Sequence, residues 1–210
     1  MITVHHLVHS RSQRIIWLCE EIGADYEIVT YQRDPITNLA PPELEQIHPL
    51  GKSPVITDGD QTIIESGAII DYLLRHYGHG QLSPVVGSVE HEQYLQWLHY
   101  GESGAILPLM LKLYTSKLPD GGATLKPRIS DELGRHLGYV EQSLEGVDWL
   151  VANRFSGADI QLSFVAEITP LLYSLDDLPN LAAFRDRCQN RPAYRRALAN
   201  AEPYAYGPKI

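Results

Sequence analysis

The chain has 210 residues and is short of cysteine and of positive charge. Only Cys19 and Cys188 are present, far apart and inside segments that read as helical. There is thus no disulfide framework and no CxxC pair, and both thiols are expected to be buried small hydrophobes. Lys and Arg number 17 against 26 Asp and Glu, a formal charge of −9. Nucleic acid and anionic membrane both require a basic face. Neither half supplies one: residues 1–80 sum to 5 − 11 = −6 and the remainder to 12 − 15 = −3. No apolar run approaches the roughly 18 residues that span a bilayer. The opening MITVHHLVHS lacks the basic start, apolar stretch and cleavage site of a secretory signal, so a cytoplasmic protein is expected.

What is present suffices for a core. Hydrophobic residues make up 44% and charged residues 20%, which excludes disorder as the dominant state. ITVHHLV at 2–8 is rich in β-branched residues and reads as a strand. In SQRIIWLCEEIG, Ile15, Ile16, Leu18, Cys19 and Ile22 recur at helical spacing, with Ser12 as N-cap and Gly23 beyond the C-terminus. YEIVTY at 26–31 gives a second strand, and strand–helix–strand makes the two strands parallel. After a proline-rich loop and a short helix ELEQIH, SPVITDGDQTIIES reads as a hairpin turning at Asp58-Gly59-Asp60. A helix from Ser66 to Tyr77 completes a four-stranded α/β domain.

Residues 79–86 break the pattern and predict a linker. Beyond it only helices are legible: a long one over HEQYLQWLHYGESGAILPLMLKLY, kinked near Pro108, then ISDELGRHLGYVEQSLEG, FSGADIQLSFVAEITPLLYSL, and one or two in LPNLAAFRDRCQNRPAYRRALAN. In the third, Ser156 and Asp159 form a capping box, flanked by Phe155 and Ile160 as a hydrophobic staple. The expected division is 1–80 for the α/β domain and 87–210 for the helical one.

Chemistry concentrates at three corners of the first domain. The loop His9-Ser10-Arg11-Ser12 sits where a parallel strand feeds a helix, the edge at which open α/β sheets bind ligands, and a helix N-terminus favours an anion. Lys52-Ser53-Pro54-Val55 opens a strand, where proline is tolerated. Glu65-Ser66 lies between strand and helix. From the residues alone, Ser10, Ser12 and Ser66 read first as helix caps, with a functional role as the alternative. His5, His6 and His9 are no metal site, because His5 and His6 point to opposite faces of a strand. Trp97, Tyr100 and Tyr114 read either as the lining of an apolar pocket or as core. Tyr204 and Tyr206 stand in a tail expected to close over such a pocket.

In order and spacing, SRSQRIIWLCEEIG, HPLGKSPVI, ESGAIIDYL and FSGADIQLSF resemble the cytosolic glutathione transferase family, in particular the serine-type branch found in bacteria and fungi. The likeness spans the whole chain. It implies a thioredoxin-like α/β domain followed by an all-α domain, a homodimer, and a role in detoxification with glutathione as co-substrate and no metal. Ser10 matches the serine whose hydroxyl bonds the glutathione sulfur, with Ser12 as the other candidate and Arg11 adding positive potential. Pro54 matches a cis-proline, and Val55 the residue whose backbone pairs with the cysteinyl part. Glu65 and Ser66 match the pair holding the γ-glutamyl amine and carboxylate, while Lys52, with Ser53 beside it, lies near the glycyl carboxylate. Glu102 matches an acidic residue reaching the γ-glutamyl amine from the partner subunit. His9, Trp97, Tyr100 and Tyr114 are candidates for the pocket of a small hydrophobic electrophile.

A free thiol titrates at roughly 8.5, so little is thiolate at neutral pH. A hydroxyl donor and a helix N-terminus both favour the anion. The implied activity is thiolate addition to electrophiles, or reduction of organic hydroperoxides. The alternative is a non-catalytic glutathione- or ligand-binding protein, since fold does not fix function. Thiol–disulfide exchange through Cys19 is disfavoured by its position well inside a helix.

Overall fold

The computed structural model describes residues 1–201 and 204–208; Glu202, Pro203, Lys209 and Ile210 of the tail lie outside the described residues. The first unit follows the expected order: β1 (Ile2–Leu7), α1 (Gln13–Ile22), β2 (Tyr26–Tyr31), α2 (Glu43–Ile47), β3 (Val55–Asp58), β4 (Gln61–Ile64) and α3 (Ser66–Tyr77). The strands lie in the order β2-β1-β3-β4. β1 pairs with β2 in parallel, Ile2 opposite Tyr26, and with β3 antiparallel, His5 opposite Val55. Gly59 supplies the positive φ at which β3 turns into β4. Ile2 and Val4 of β1, Ile15, Ile16 and Leu18 of α1, and Ile69, Ile70 and Leu73 of α3 are all buried. Each such side chain removed from water contributes about 1.5–3 kcal/mol before entropy is counted. Cys19 is buried among them, its thiol pushed up to about 12 by burial, and Cys188 is buried too.

The second unit runs from Pro84 to Cys188. It holds α4 (Val89–Tyr100), α5 (Ile106–Thr115), α6 (Lys126–Ser143), α7 (Gly157–Leu172) and most of α8 (Pro179–Asn190). The break expected near Pro108 falls earlier. Residues Gly101–Ala105 form a π-helical turn that joins α4 to α5 with no non-helical residue between them, and Pro108 is tolerated in the first turn of α5. α7 is buried from Gly157 through Thr169, its polar Asp159, Ser163 and Thr169 included, each of which makes hydrogen bonds. Ser156 caps it reciprocally with Asp159, as the sequence predicts.

The C-terminal end departs from the expected division. From Gln189 onward the chain belongs to the first compact unit, with α9 (Pro192–Asn200) packed on α1. The cause lies in side chains that periodicity does not reveal. Arg191 donates from Nε and Nη2 to both oxygens of Glu21, at 2.5 and 2.9 Å, and Glu21 also accepts from the Trp17 indole. Arg196 donates to Glu20, and Tyr194 meets Trp17 edge-on.

Candidate functional site

β1 ends at Leu7, and the chain must turn sharply before α1 begins. His9 takes a positive φ of 54° there. Arg33, just beyond β2, donates from Nε to the Val8 carbonyl at 3.0 Å and from Nη2 to the His9 carbonyl at 3.1 Å. The loop is therefore held from its outer side by a cation. The His9 ring also accepts from the backbone N–H of Ala205, between Tyr204 and Tyr206, whose rings meet edge-on.

Ser10 and Ser12 both turn inward. Ser12 Oγ lies 2.8 Å from Ser10 Oγ, 2.8 Å from His6 Nδ1 and 3.3 Å from the Leu7 carbonyl oxygen. Ser12 occupies the N-cap position of α1, yet its side chain makes no capping bond; that hydroxyl is spent on His6 and Ser10 instead. Ser10 does the local work, accepting from the Ser12 N–H at 3.2 Å. The two hydroxyls differ in access: Ser12 is 0% exposed and Ser10 7%. The amides at this helix end are largely filled, because the backbone N–H groups of Gln13 and Arg14 donate to the carbonyls of Ser10 and Arg11. The helix thus offers its partial positive charge more than free donors. No acidic residue in the first turn opposes that charge, and Arg11 is half-buried alongside.

Across the sheet, the Ser53–Pro54 peptide is cis. The Ser53 hydroxyl donates to the His5 carbonyl at 3.0 Å and accepts from the Leu7 N–H at 3.3 Å, so it ties this corner to β1. Val55 opens β3, fully buried, paired with His5 on one side and Ile64 on the other. Lys52 is exposed beside them. At the third corner the cap reading fails: Glu65, not Ser66, stands at the N-cap of α3, without a side-chain cap. Glu65 has φ 67°, ψ 119°, a conformation that costs a non-glycine residue about 1–3 kcal/mol and persists only where its surroundings impose it. Its side chain is exposed. Buried Ser66 accepts from the guanidinium of Arg14 at 3.0 Å, which places a buried cation beneath the start of α3.

The other candidates lie in the helical unit. Trp97 stacks on Tyr139 at 5.4 Å and meets Tyr100 edge-on. The Tyr100 hydroxyl sits 2.7 Å from His136 Nδ1 and is pushed up to about 12 by burial. These two rings belong to an aromatic cluster inside the unit. Tyr114 is 61% exposed on α5, and Glu102 is half-buried within the π-helical turn. Among the described residues, no three His, Cys, Asp or Glu side chains converge as metal ligands, and no helix is long and apolar enough to cross a membrane. His5 bonds Tyr31 and Thr57, whereas His6 bonds Ser12, as strand alternation requires.

Sequence reasoning passed over three residues of this region. Arg14 carries no pattern that marks it as buried, and buried arginine is rare. Arg33 lay in a loop without periodicity. His6 was weighed only as a metal ligand, although its distance from Ser10 and Ser12 was already fixed by strand and turn.

Comparison with known proteins places the whole chain in one group. Residues 1–75 match the family model for the glutathione S-transferase N-terminal domain, and residues 104–192 that for the C-terminal domain. The chain is 31% identical to glutathione S-transferase 3 of Schizosaccharomyces pombe, over 96% of this chain and 88% of the relative. It is 34% identical to glutathione S-transferase 1 of Saccharomyces cerevisiae, over 78% of this chain and 79% of the relative. A solved structure of a glutathione S-transferase from Actinobacillus pleuropneumoniae superposes with a TM-score of 0.88 at 34% identity, covering 97% of this chain and 94% of that one.

Proposed function

Because the chain belongs to the glutathione S-transferase family, we propose that it activates the thiol of glutathione through the Ser10 hydroxyl, as a member of the serine-type branch. The observation that carries this reading is the difference between the two hydroxyls of the loop. Ser12 is fully enclosed, its oxygen committed to His6, Ser10 and Leu7, while Ser10 retains surface at the mouth of the β1–α1 turn. A thiolate beside Ser10 meets a hydroxyl donor and the positive end of α1, and both lower the thiol pKa.

The remaining corners suit the rest of the tripeptide. Glutathione carries two carboxylates and an ammonium. The exposed carboxylate of Glu65 fits the γ-glutamyl amine. Ser66, backed by Arg14, fits the neighbouring carboxylate, and exposed Lys52 fits the glycyl one. The backbone of Val55, beyond the cis-proline, fits the cysteinyl amide. The bound thiolate then adds to a small electrophile, or attacks the outer oxygen of an organic hydroperoxide, a second glutathione completing the reduction to alcohol and water. Positioning and charge stabilisation do most of this work. The protein acts in the cytoplasm as a homodimer in which the partner subunit's Glu102 approaches the same amine. The experiment is turnover with an activated aryl halide alongside calorimetric glutathione binding. Ser10→Ala should abolish most turnover and leave binding within a few-fold. Full turnover in Ser10→Ala would refute the assignment.

A further inference from the structure

His6 lies on β1, 1% exposed, behind the two serines. Its Nδ1 meets Ser12 Oγ at 2.8 Å, and Ser12 Oγ meets Ser10 Oγ at 2.8 Å, so three side chains form one line running from the sheet to the mouth of the site. At the inner end, His6 Nε2 is buried without a hydrogen-bond partner among the described residues. Burial, with His9 nearby, pushes the imidazole down to about 4, so near neutral pH it carries a single N–H.

That single proton fixes the direction of the whole line. Place it on Nε2, and Ser12 must donate to Nδ1. Ser12 then has no proton for Ser10, so the 2.8 Å contact between the hydroxyls is a hydrogen bond only if Ser10 turns its own proton inward. Such a Ser10 has nothing to donate to a ligand, and the Nε2 N–H is an orphaned buried donor. Place the proton on Nδ1 instead, and it donates to Ser12. Ser12 donates in turn to Ser10, a closer acceptor at 2.8 Å than the Leu7 carbonyl at 3.3 Å. Ser10 Oγ now accepts from the Ser12 hydroxyl and from the Ser12 N–H at 3.2 Å, which uses both lone pairs. Its proton is left to point outward. The orphan at Nε2 becomes an under-used acceptor, which proteins tolerate better than a buried N–H without a partner.

We propose that His6 is a positioning residue, held as the Nδ1–H tautomer, which orients the Ser12 and Ser10 hydroxyls so that Ser10 presents its proton to the glutathione sulfur. The inference rests on the assignment of Ser10 made above and adds the source of its orientation. Chemistry would still occur at Ser10; His6 acts only through Ser12.

Two measurements test it. In the ¹⁵N-labelled full chain near neutral pH, long-range proton–nitrogen NMR should show His6 protonated at Nδ1 and bare at Nε2, the signals being assigned by their loss in His6→Asn. A proton on Nε2 overturns the proposal, whatever the variants do. Next, the pKa of bound glutathione and the steady-state constants are compared in His6→Leu and His6→Asn, whose amide nitrogen can donate to Ser12 from the place of Nδ1. His6→Leu should raise the bound-thiol pKa by about one unit and lower kcat about tenfold near neutral pH, with KM for glutathione within about twofold. His6→Asn should recover most of both. A His6→Leu protein that binds glutathione with the wild-type thiol pKa overturns the proposal. Wild-type protein that binds glutathione without lowering its thiol pKa overturns the Ser10 assignment as well, and so separates the two failures.

Discussion

Asp159 offers a stability test whose size follows from the structure. Its carboxylate is fully buried and accepts from the Leu150 N–H at 3.0 Å, the Ser156 N–H at 2.8 Å and the Ser156 hydroxyl at 3.0 Å. Asp159→Ala strands three donors, and at about 1 kcal/mol each the loss is about 3 kcal/mol. The other half of the capping box, Ser156 Oγ to the Ala158 N–H, survives, so α7 still starts in place. For a chain of this size, about 2–4 °C of Tm per kcal/mol gives a fall of about 6–12 °C. The cost also depends on pH. Burial outweighs the three hydrogen bonds and lifts the carboxyl from 3.8 to about 6. A raised folded-state pKa means stability that is present in full below 3.8 and is lost as pH rises through 6. Wild type therefore gains from Asp159 on acidification, and the substitution should cost about 1 kcal/mol more at pH 5 than at pH 8. Thermal unfolding followed by far-UV circular dichroism at both pH values reads this out. A loss below 1 kcal/mol at pH 8, or one that shrinks toward pH 5, would refute the reasoning.

Three further outcomes are expected. Arg191→Ala removes two of the three donors to the nearly buried Glu21 carboxylate and should destabilise the docking of α9 on α1 by about 2 kcal/mol, seen as faster amide exchange in α9 and its surroundings. Gly104→Ala would put a Cβ 2.4 Å from the Tyr100 ring, which is tethered to His136, and should cost about 1–3 kcal/mol with a change in near-UV dichroism. His6, depressed from 6.5 to about 4, contributes stability that is complete above 6.5 and is lost as pH falls toward 4, by up to about 3 kcal/mol. Because Asp159 acts in the opposite sense over an overlapping range, the His6 contribution is read as the difference between wild type and His6→Asn; a pH-independent difference would contradict it.

The contrast between what the residues foretell and what they conceal is physical. The β-branched and apolar content of ITVHHLV, the helical spacing of Ile15, Ile16, Leu18 and Cys19, and the Ser156/Asp159 pair are local patterns, and their elements form where expected. The loop at Ser10 and the corner at Glu65-Ser66 were legible as places where strands feed helices. What Ser12 and Ser66 do there was not, because each spends its hydroxyl on a partner rather than a cap: Ser12 on His6, six residues away, and Ser66 on Arg14, 52 residues away. The swing of α9 onto α1 rests on Arg191 and Glu21, 170 residues apart, and ion pairs at that separation leave no periodic trace. Likewise the spacing of Trp97 and Tyr100 gives no sign of their partners Tyr139 and His136, which lie on another helix.

The most direct test of the central claim is the pKa of the glutathione thiol on the enzyme, followed by thiolate absorbance against pH in wild type, Ser10→Ala and Ser12→Ala. The account predicts a value at least about one unit below the free thiol in wild type, a return to roughly 8.5 in Ser10→Ala, and a smaller rise in Ser12→Ala, where the line from His6 is cut but the donor remains. A wild-type pKa that persists in Ser10→Ala would contradict it.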